Sequence, residues 1–264
     1  MLRASAGDDI GSVYEASPDK TTGVALLTPG SRFTDDTVLT VATAAALLGD
    51  GDYAGAYRRC GRVYPNAGYG GSFYRWLLSE DAGPYGSWGN GAAMRVSPVG
   101  FALDTVDGVL AEAARSAAVT HDHPEGIKGA QATALAVLLA RSGAAKEDIR
   151  SEIEGRFGYE LTRSLHAFRP NYRFDVSCQG SVPESLIAFL ESTDYEGAVR
   201  NAISLGGDAD TMACIAGGIA EAFYGAVPGQ IAREVRSRLP EGFLDVLDRF
   251  ESRFGSASAN PSMA

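Results

Sequence analysis

Two short acidic segments frame the chemistry open to this chain. One is Thr34-Asp35-Asp36-Thr37. The other is Asp208-Ala209-Asp210-Thr211, preceded by Gly206-Gly207. Each stands at the head of an apolar helical run. One role for such residues is helix capping, with Thr34 and Asp208 as N-caps and the extra carboxylates favoured by the helix dipole by about 0.3–1 kcal/mol each. The other is cation binding, because a cap needs neither two consecutive acids nor a Gly-Gly hinge before Asp-x-Asp. Carboxylate and hydroxyl oxygens suit hard cations such as Mg2+, Mn2+ or Ca2+ rather than zinc. Helix geometry limits how each pair converges, since two residues advance about 200°. Asp208 and Asp210 reach one ion only if the first lies on a loop and the second on the first turn. Likewise Thr34 and Asp35 sit at a helix mouth while Asp36 begins the helix. Spacing alone leaves both roles open.

A third acidic element lies near the start, in Gly7-Asp8-Asp9-Ile10-Gly11-Ser12-Val13-Tyr14-Glu15. Glu15 precedes the polar stretch ASPDKTTG, where a lone glutamate is ordinarily a solvated surface residue.

The elements that must position these groups are helical. Val38, Leu39, Val41, Ala42, Ala45, Ala46 and Leu48 make a helix apolar on most faces, which predicts a central place for it. Further helical periodicity runs over 103–120, 126–143, 146–158, 211–225 and 243–254. The capping-box patterns Ser181-Val-Pro-Glu184 and Thr193-Asp-Tyr-Glu196 predict two more helix starts. RVYPNAGYGG and FDVSC are too short to build a sheet. The reading is one all-α domain over residues 1–254, with 255–264 (GSASANPSMA) a disordered tail. The segments 83–100 and 204–211 break the helical pattern and are rich in glycine, as ligand-approach loops often are.

Composition narrows the partners. At 264 residues and 45% hydrophobic content the chain can bury a sizeable core. No run approaches the roughly 18 apolar residues of a membrane span, and the N-terminus lacks a secretory pattern, so no membrane partner is expected. Cys60, Cys178 and Cys214 are widely spaced without a CxxC pair, which matches free thiols in a reducing cytoplasm. A net charge of −10 with scattered basic residues argues against duplex nucleic acid. A phosphate-bearing ligand stays open, because bound metal or backbone N–H groups can supply the positive field.

Taken together, GDDIGSVYE, FTDDT, YGSWGNGAAMR, THDHPEGIKGA and SLGGDADTMACIAGGIAEAFYG, in that order, resemble the ADP-ribosylglycohydrolase superfamily. That is the family of dinitrogenase-reductase-activating glycohydrolase and the serine-directed ADP-ribosylhydrolases, and the similarity spans about residues 7 to 225. The resemblance implies a compact orthogonal helical bundle with a central binuclear cleft holding two Mg2+ ions, or Mn2+. It implies Thr34, Asp35, Asp36, Asp208, Asp210 and Thr211 as metal ligands, and Glu15 as an acidic residue on a flap beside the metals. Gly86, Ser87, Gly89, Asn90 and Gly91 match the loop that holds the ADP-ribose phosphates and distal ribose. His121 matches a groove-lining histidine, and Trp88 stands where an aromatic residue often packs on the ligand. His123 and His166 are expected in structural or surface roles.

The implied activity is metal-dependent hydrolysis of the glycosidic bond between ADP-ribose and an acceptor. Asp36 or Asp210 would serve as general base and Glu15 as acid or gate, with the pyrophosphate on N–H groups of the 86–91 loop. Glu15 in GSVYE leans the acceptor toward O-linked ADP-ribosyl-serine, O-acetyl-ADP-ribose or poly-ADP-ribose. An arginine-specific enzyme and a non-catalytic ADP-ribose-binding or crystallin-like member are the alternatives. The stretch MLRASAGDD departs from the more apolar start of relatives, without touching an implied ligand.

Overall fold

A computed structural model describes residues 2–225 and 227–255. The expected tail at 256–264 lies outside the described residues. In chain order the helices are α1 (Leu2–Gly11), α2 (Asp35–Leu48), α3 (Tyr53–Val63), α4 (Gly71–Leu78) and α5 (Gly91–Met94). Next come α6 (Ser97–Ala102), α7 (Val106–Ala118), α8 (Pro124–Arg141), α9 (Lys146–Phe157) and α10 (Leu165–Phe168). The last are α11 (Cys178–Leu190), α12 (Tyr195–Ile203), α13 (Ala209–Tyr224), α14 (Gly229–Arg238) and α15 (Glu241–Phe254). Among the described residues there is no strand, only an isolated bridge between Gly89 and Ser177. The all-α expectation holds, and FDVSC supplies one side of that bridge.

Helix α13 is the axle of the bundle. It is buried continuously from Ala209 to Glu221, and α1, α8, α11 and α12 pack around it. Its end is set by Gly225, whose φ of 70° is the left-handed conformation that closes a helix without a Cβ penalty. Helix α2 is buried on most faces, as its alanine-rich sequence predicts.

Contact between α1 and α13 is backbone on backbone. A Cβ added at Gly7 would lie 2.1 Å from the Ala213 carbonyl oxygen, and one at Gly11 would lie 2.5 Å from the Asp210 Cα. This close approach carries Asp8 into the heart of the protein beside Asp210. Gly7→Ala is therefore expected to destabilise the fold by about 1–3 kcal/mol, since neither backbone can yield locally. Gly242→Ala, on α15 with nothing within 4 Å of the new methyl group, should instead stabilise by about 0.5–1 kcal/mol. Chemical denaturation of both variants checks the pair, and equal stability would remove the clash argument.

Two helix starts differ from the capping-box reading. Helix α11 begins at Cys178, a turn before the expected box. Ser177 caps it by accepting from the Gly180 N–H (3.0 Å), and Pro183 falls inside the helix. The Ser181 hydroxyl donates instead to the Ser177 carbonyl (2.7 Å). At α12 the cap is Asp194 rather than Thr193, its carboxylate accepting from the Gly197 N–H at 2.7 Å. Helices α3, α4 and α14 lie where sequence periodicity marked none.

Candidate active site

The two acidic helix starts meet at one cleft of about 460 Å³. Asp36, Asp208, Asp210 and Thr211 are buried there, and Asp35 is half-buried at its wall. Thr34 is both N-cap and cleft residue: its hydroxyl oxygen accepts from the Asp36 N–H at 3.3 Å. Asp208 is the N-cap of α13 but makes no side-chain capping bond, so its carboxylate is left for other work. It stands on the loop while Asp210 stands on the first turn, the straddling arrangement the helix geometry demanded. The bend is made by Gly206, whose φ of 60° favours a residue without a Cβ.

The carboxylates form two groups that share a member. One oxygen each from Asp8, Asp36 and Asp210 lie within 4.8 Å of one another, and so do oxygens of Glu15, Asp208 and Asp210. Asp35 falls outside both groups, with its N–H donating to the Ala67 carbonyl at 2.9 Å. Burial first, and mutual repulsion second, push these groups up. Asp35 rises to about 8 and Asp8 to about 7, while Asp36 and Asp208 stand well above the ordinary carboxylate range. Partial desolvation over the cleft also raises Glu15, with the Asp210 charge adding to it. Such crowding asks for neutralisation by protons or cations. Asp36 Oδ1 is buried with no hydrogen-bond partner, and the donor set is all oxygen. Both observations fit hard divalent cations.

Asp8 is the residue that sequence reasoning passed over. It is fully buried, and its carboxylate accepts from the Thr34 and Thr37 N–H groups (2.8 and 3.1 Å) and from both hydroxyls (2.6 Å each). It thereby clamps the start of α2 and accepts the hydrogen bond of the Thr34 hydroxyl. The only sequence signal for it was an aspartate beside the glycine that seats α1.

Glu15 is exposed on the segment between α1 and α2. The far end of that segment is fastened. Lys20 Nζ donates to the carbonyls of Arg169 (3.0 Å), Tyr172 (2.8 Å) and Leu205, and Arg200 holds the carbonyls of Thr22 and Val24. Residues 15–18 are left exposed between that anchor and α1, with Glu15 over the acidic groups.

The glycine-rich loop is stitched to the segment before α11, with the Asn90 N–H donating to the Val176 carbonyl (2.8 Å) and the Cys178 N–H to the Trp88 carbonyl (3.0 Å). Ser87, Gly89, Asn90, Gly91 and His121 line the cleft; Gly86 and Trp88 do not. Gly86 is exposed, its N–H held by Asp122 Oδ1 (2.7 Å), and Trp88 is 48% exposed. Tyr85, Phe174 and Val176 supply the aromatic and apolar wall instead. The expected use of the loop's N–H groups also narrows. Those of Gly86, Ser87, Gly89 and Asn90 are taken by protein acceptors, because the loop needs them to hold its own shape. Gly91 lines the cleft, and its N–H has no acceptor among the described residues. Asn90 Nδ2 donates to Asp208 Oδ2 (2.8 Å) and Ser181 Oγ (3.2 Å), tying loop and acidic group together.

His121 is buried, and its ring packs against Tyr85 at 6.0 Å. His123 caps α8 by accepting from the Glu125 N–H (3.1 Å), and His166 is exposed, in line with their expected structural roles. No helix among the described residues is long and apolar enough to cross a membrane.

Comparison with known proteins gives a consistent result. A sequence model of the ADP-ribosylglycohydrolase family matches residues 2–260. The ADP-ribosylhydrolase ARH3 of Mus musculus is 28% identical over 85% of this chain and 82% of that protein. The ADP-ribosylarginine hydrolase Tri1 of Pseudomonas putida is 25% identical over 85% of this chain and 69% of its own. A solved structure described as an ADP-ribosylglycohydrolase-related protein complex superposes with a TM-score of 0.73. It shares 27% identity and 96% coverage of both chains.

Proposed function

The chain belongs to the ADP-ribosylglycohydrolase family, a hydrolase of glycosidic bonds, and from that premise we propose that its acceptors are O-linked and its cofactors two divalent cations. The candidate ligands are Thr34, Asp35, Asp36, Asp208, Asp210 and Thr211. Bound among them, Mg2+ or Mn2+ would supply Lewis-acid polarisation of ribose hydroxyls and water. The candidate substrates are ADP-ribosyl-serine, O-acetyl-ADP-ribose and poly-ADP-ribose, met in the cytoplasm rather than at a membrane.

Cleavage of such a bond passes through an oxocarbenium-like state at ribose C1. The chain's residues serve that state in three ways. Ser87, Gly89, Gly91 and His121 hold the ADP portion, so that the reacting ribose is fixed by orientation rather than by collision. Asp36 or Asp210 accepts the proton of the attacking water. Glu15 gives a proton to the departing acceptor oxygen, a role that suits a carboxyl raised by partial desolvation over the cleft and by the Asp210 charge.

The observation that carries the O-linked reading is the reach of Glu15 to within 4.8 Å of Asp208 and Asp210. The test incubates the full chain with serine-linked, acetyl-linked and arginine-linked ADP-ribose, each with and without EDTA. The O-linked substrates should be cleaved faster, EDTA should stop turnover, and Glu15→Gln should lower kcat about 100-fold with KM little changed. The ADP-ribosylarginine hydrolase among the similar proteins makes arginine linkage the second reading. Faster cleavage of the arginine-linked substrate would overturn the first.

A further inference from the structure

Arg95, Thr120 and His121 form a buried polar chain in the cleft wall, of which the reading above uses only the His121 end. Arg95, at the end of α5, is 1% exposed, and its Nε and Nη1 have no hydrogen-bond partner among the described residues; its guanidinium lies over the Tyr57 ring at 4.3 Å. Its Nη2 donates to Thr120 Oγ1 at 2.8 Å, and Thr120 Oγ1 stands 2.8 Å from His121 Nδ1. Thr120 is fully buried.

The direction of these bonds follows from donor chemistry. A guanidinium can only donate, so the Thr120 oxygen is the acceptor of the first bond. The hydroxyl then has one proton to give. Among the described residues its only other hydrogen-bond neighbour is His121 Nδ1. If Nδ1 carried a proton, the Thr120 hydroxyl would be left without an acceptor in a buried site, at a cost of about 1–3 kcal/mol. Nδ1 is therefore the acceptor, and the ring proton sits on Nε2. A doubly protonated ring is disfavoured as well, since burial and the nearby Arg95 charge hold His121 well below its ordinary range.

Nε2 looks onto the glycine-rich loop. A Cβ at Gly91 would lie 3.2 Å from it, and one at Gly89 3.7 Å. The imidazole edge and the spare Gly91 N–H thus share one part of the cleft wall.

We propose that Arg95 and Thr120 are positioning residues that lock His121 in its Nε2–H tautomer, making it a neutral donor to a phosphate oxygen of the bound nucleotide diphosphate. The ligand half of this inference rests on the ADP-ribose reading; the lock itself does not. In the opposite tautomer a lone pair would face the phosphate, and the loop would lose one of its few free donors.

Ring 15N spectroscopy of the histidine-labelled full chain tests the lock without ligand or metal. The chain has only 3 histidines, and His121→Gln assigns the relevant signals. The wild type should show an unprotonated-type shift at Nδ1 and a protonated-type shift at Nε2, constant between pH 6 and pH 8. Thr120→Val should mix the tautomers and weaken ADP-ribose binding about 10-fold, and Thr120→Ser should restore both. A protonated Nδ1 in the wild type, or a Thr120→Val chain with unchanged spectrum and affinity, would overturn the proposal. Should Thr120→Val not fold, the wild-type and Thr120→Ser spectra decide. A wild type with the expected ring signature that does not bind ADP-ribose would sink the nucleotide reading and leave the lock standing.

Discussion

Asp36→Asn is expected to abolish turnover while leaving the fold as stable as before, or more stable. The two halves of that result come from the same crowding. Asp36 is buried, its Oδ1 has no partner, and Asp210, Asp8, Asp35 and Asp208 all raise it well above the ordinary range, burial most of all. Burial and the neighbouring carboxylates favour its neutral form in the metal-free protein, so an amide of the same shape removes a charge that the site disfavours. The Thr211 hydroxyl, 3.3 Å from Oδ2, keeps an oxygen to donate to. What the amide lacks is the anionic oxygen that a hard cation prefers and the basicity to take a proton from water. A fall in kcat/KM of about 1,000-fold or more, roughly 4 kcal/mol, is expected. Thermal melts in EDTA should show no loss of stability, and titration calorimetry should show weakened Mg2+ or Mn2+ binding. A variant that keeps a tenth of the wild-type rate would remove Asp36 from the chemistry.

That residue was readable in the sequence because its neighbours are local. Asp35 with Asp36, and Asp208 with Asp210, sit a residue or two apart at helix mouths, where cap and dipole rules already single them out. The helices themselves were readable where alanine-rich apolar runs are long and uninterrupted, as in α2, α8 and α13. Helices α3 and α4 were not, because they are short (11 and 8 residues) and built of tyrosine, arginine and glycine rather than a long apolar run, and their buried faces show only in packing with Leu39 and Ala42. Asp8 escaped for a different reason. Its partners, Thr34 and Thr37, lie 26 and 29 residues away, and no spacing rule joins them until Gly7 and Gly11 let α1 press on α13. The placing of Trp88 outside the cleft lining was likewise not legible. The bridge to Ser177 decides which way the loop faces, and that bridge is a tertiary fact.

The second large effect is on stability, and its sign follows from the raised carboxylates. In the folded, metal-free protein Asp8 and Asp9 stand at about 7 and Asp35 at about 8, against an ordinary value of 3.8 for each. Between those limits the folded state holds protons that the unfolded state has released. Stability is therefore full below about pH 4 on this account and falls as pH rises toward 8. One pKa unit corresponds to about 1.4 kcal/mol. For a chain of this size each unit realised lowers the melting temperature by about 3–6 °C. The metal-free protein should thus melt at least about 5 °C lower at pH 8 than at pH 5.5.

Adding Mg2+ or Mn2+ at pH 8 should recover the part that belongs to the acidic cleft, because a cation that binds only the folded state stabilises it by mass action. It should not recover all of it. Asp9 is buried outside the two acidic groups, and neither of its carboxylate oxygens has a hydrogen-bond partner. Burial and the Asp8 charge raise it, with Arg238 acting against them. The pH dependence that survives saturating metal is assigned to Asp9, and Asp9→Asn should flatten it. A melting temperature that does not change from pH 5.5 to pH 8 in EDTA would refute the crowding argument as a whole. Full recovery by metal alone would show that Asp9 stays protonated throughout and contributes nothing to the slope.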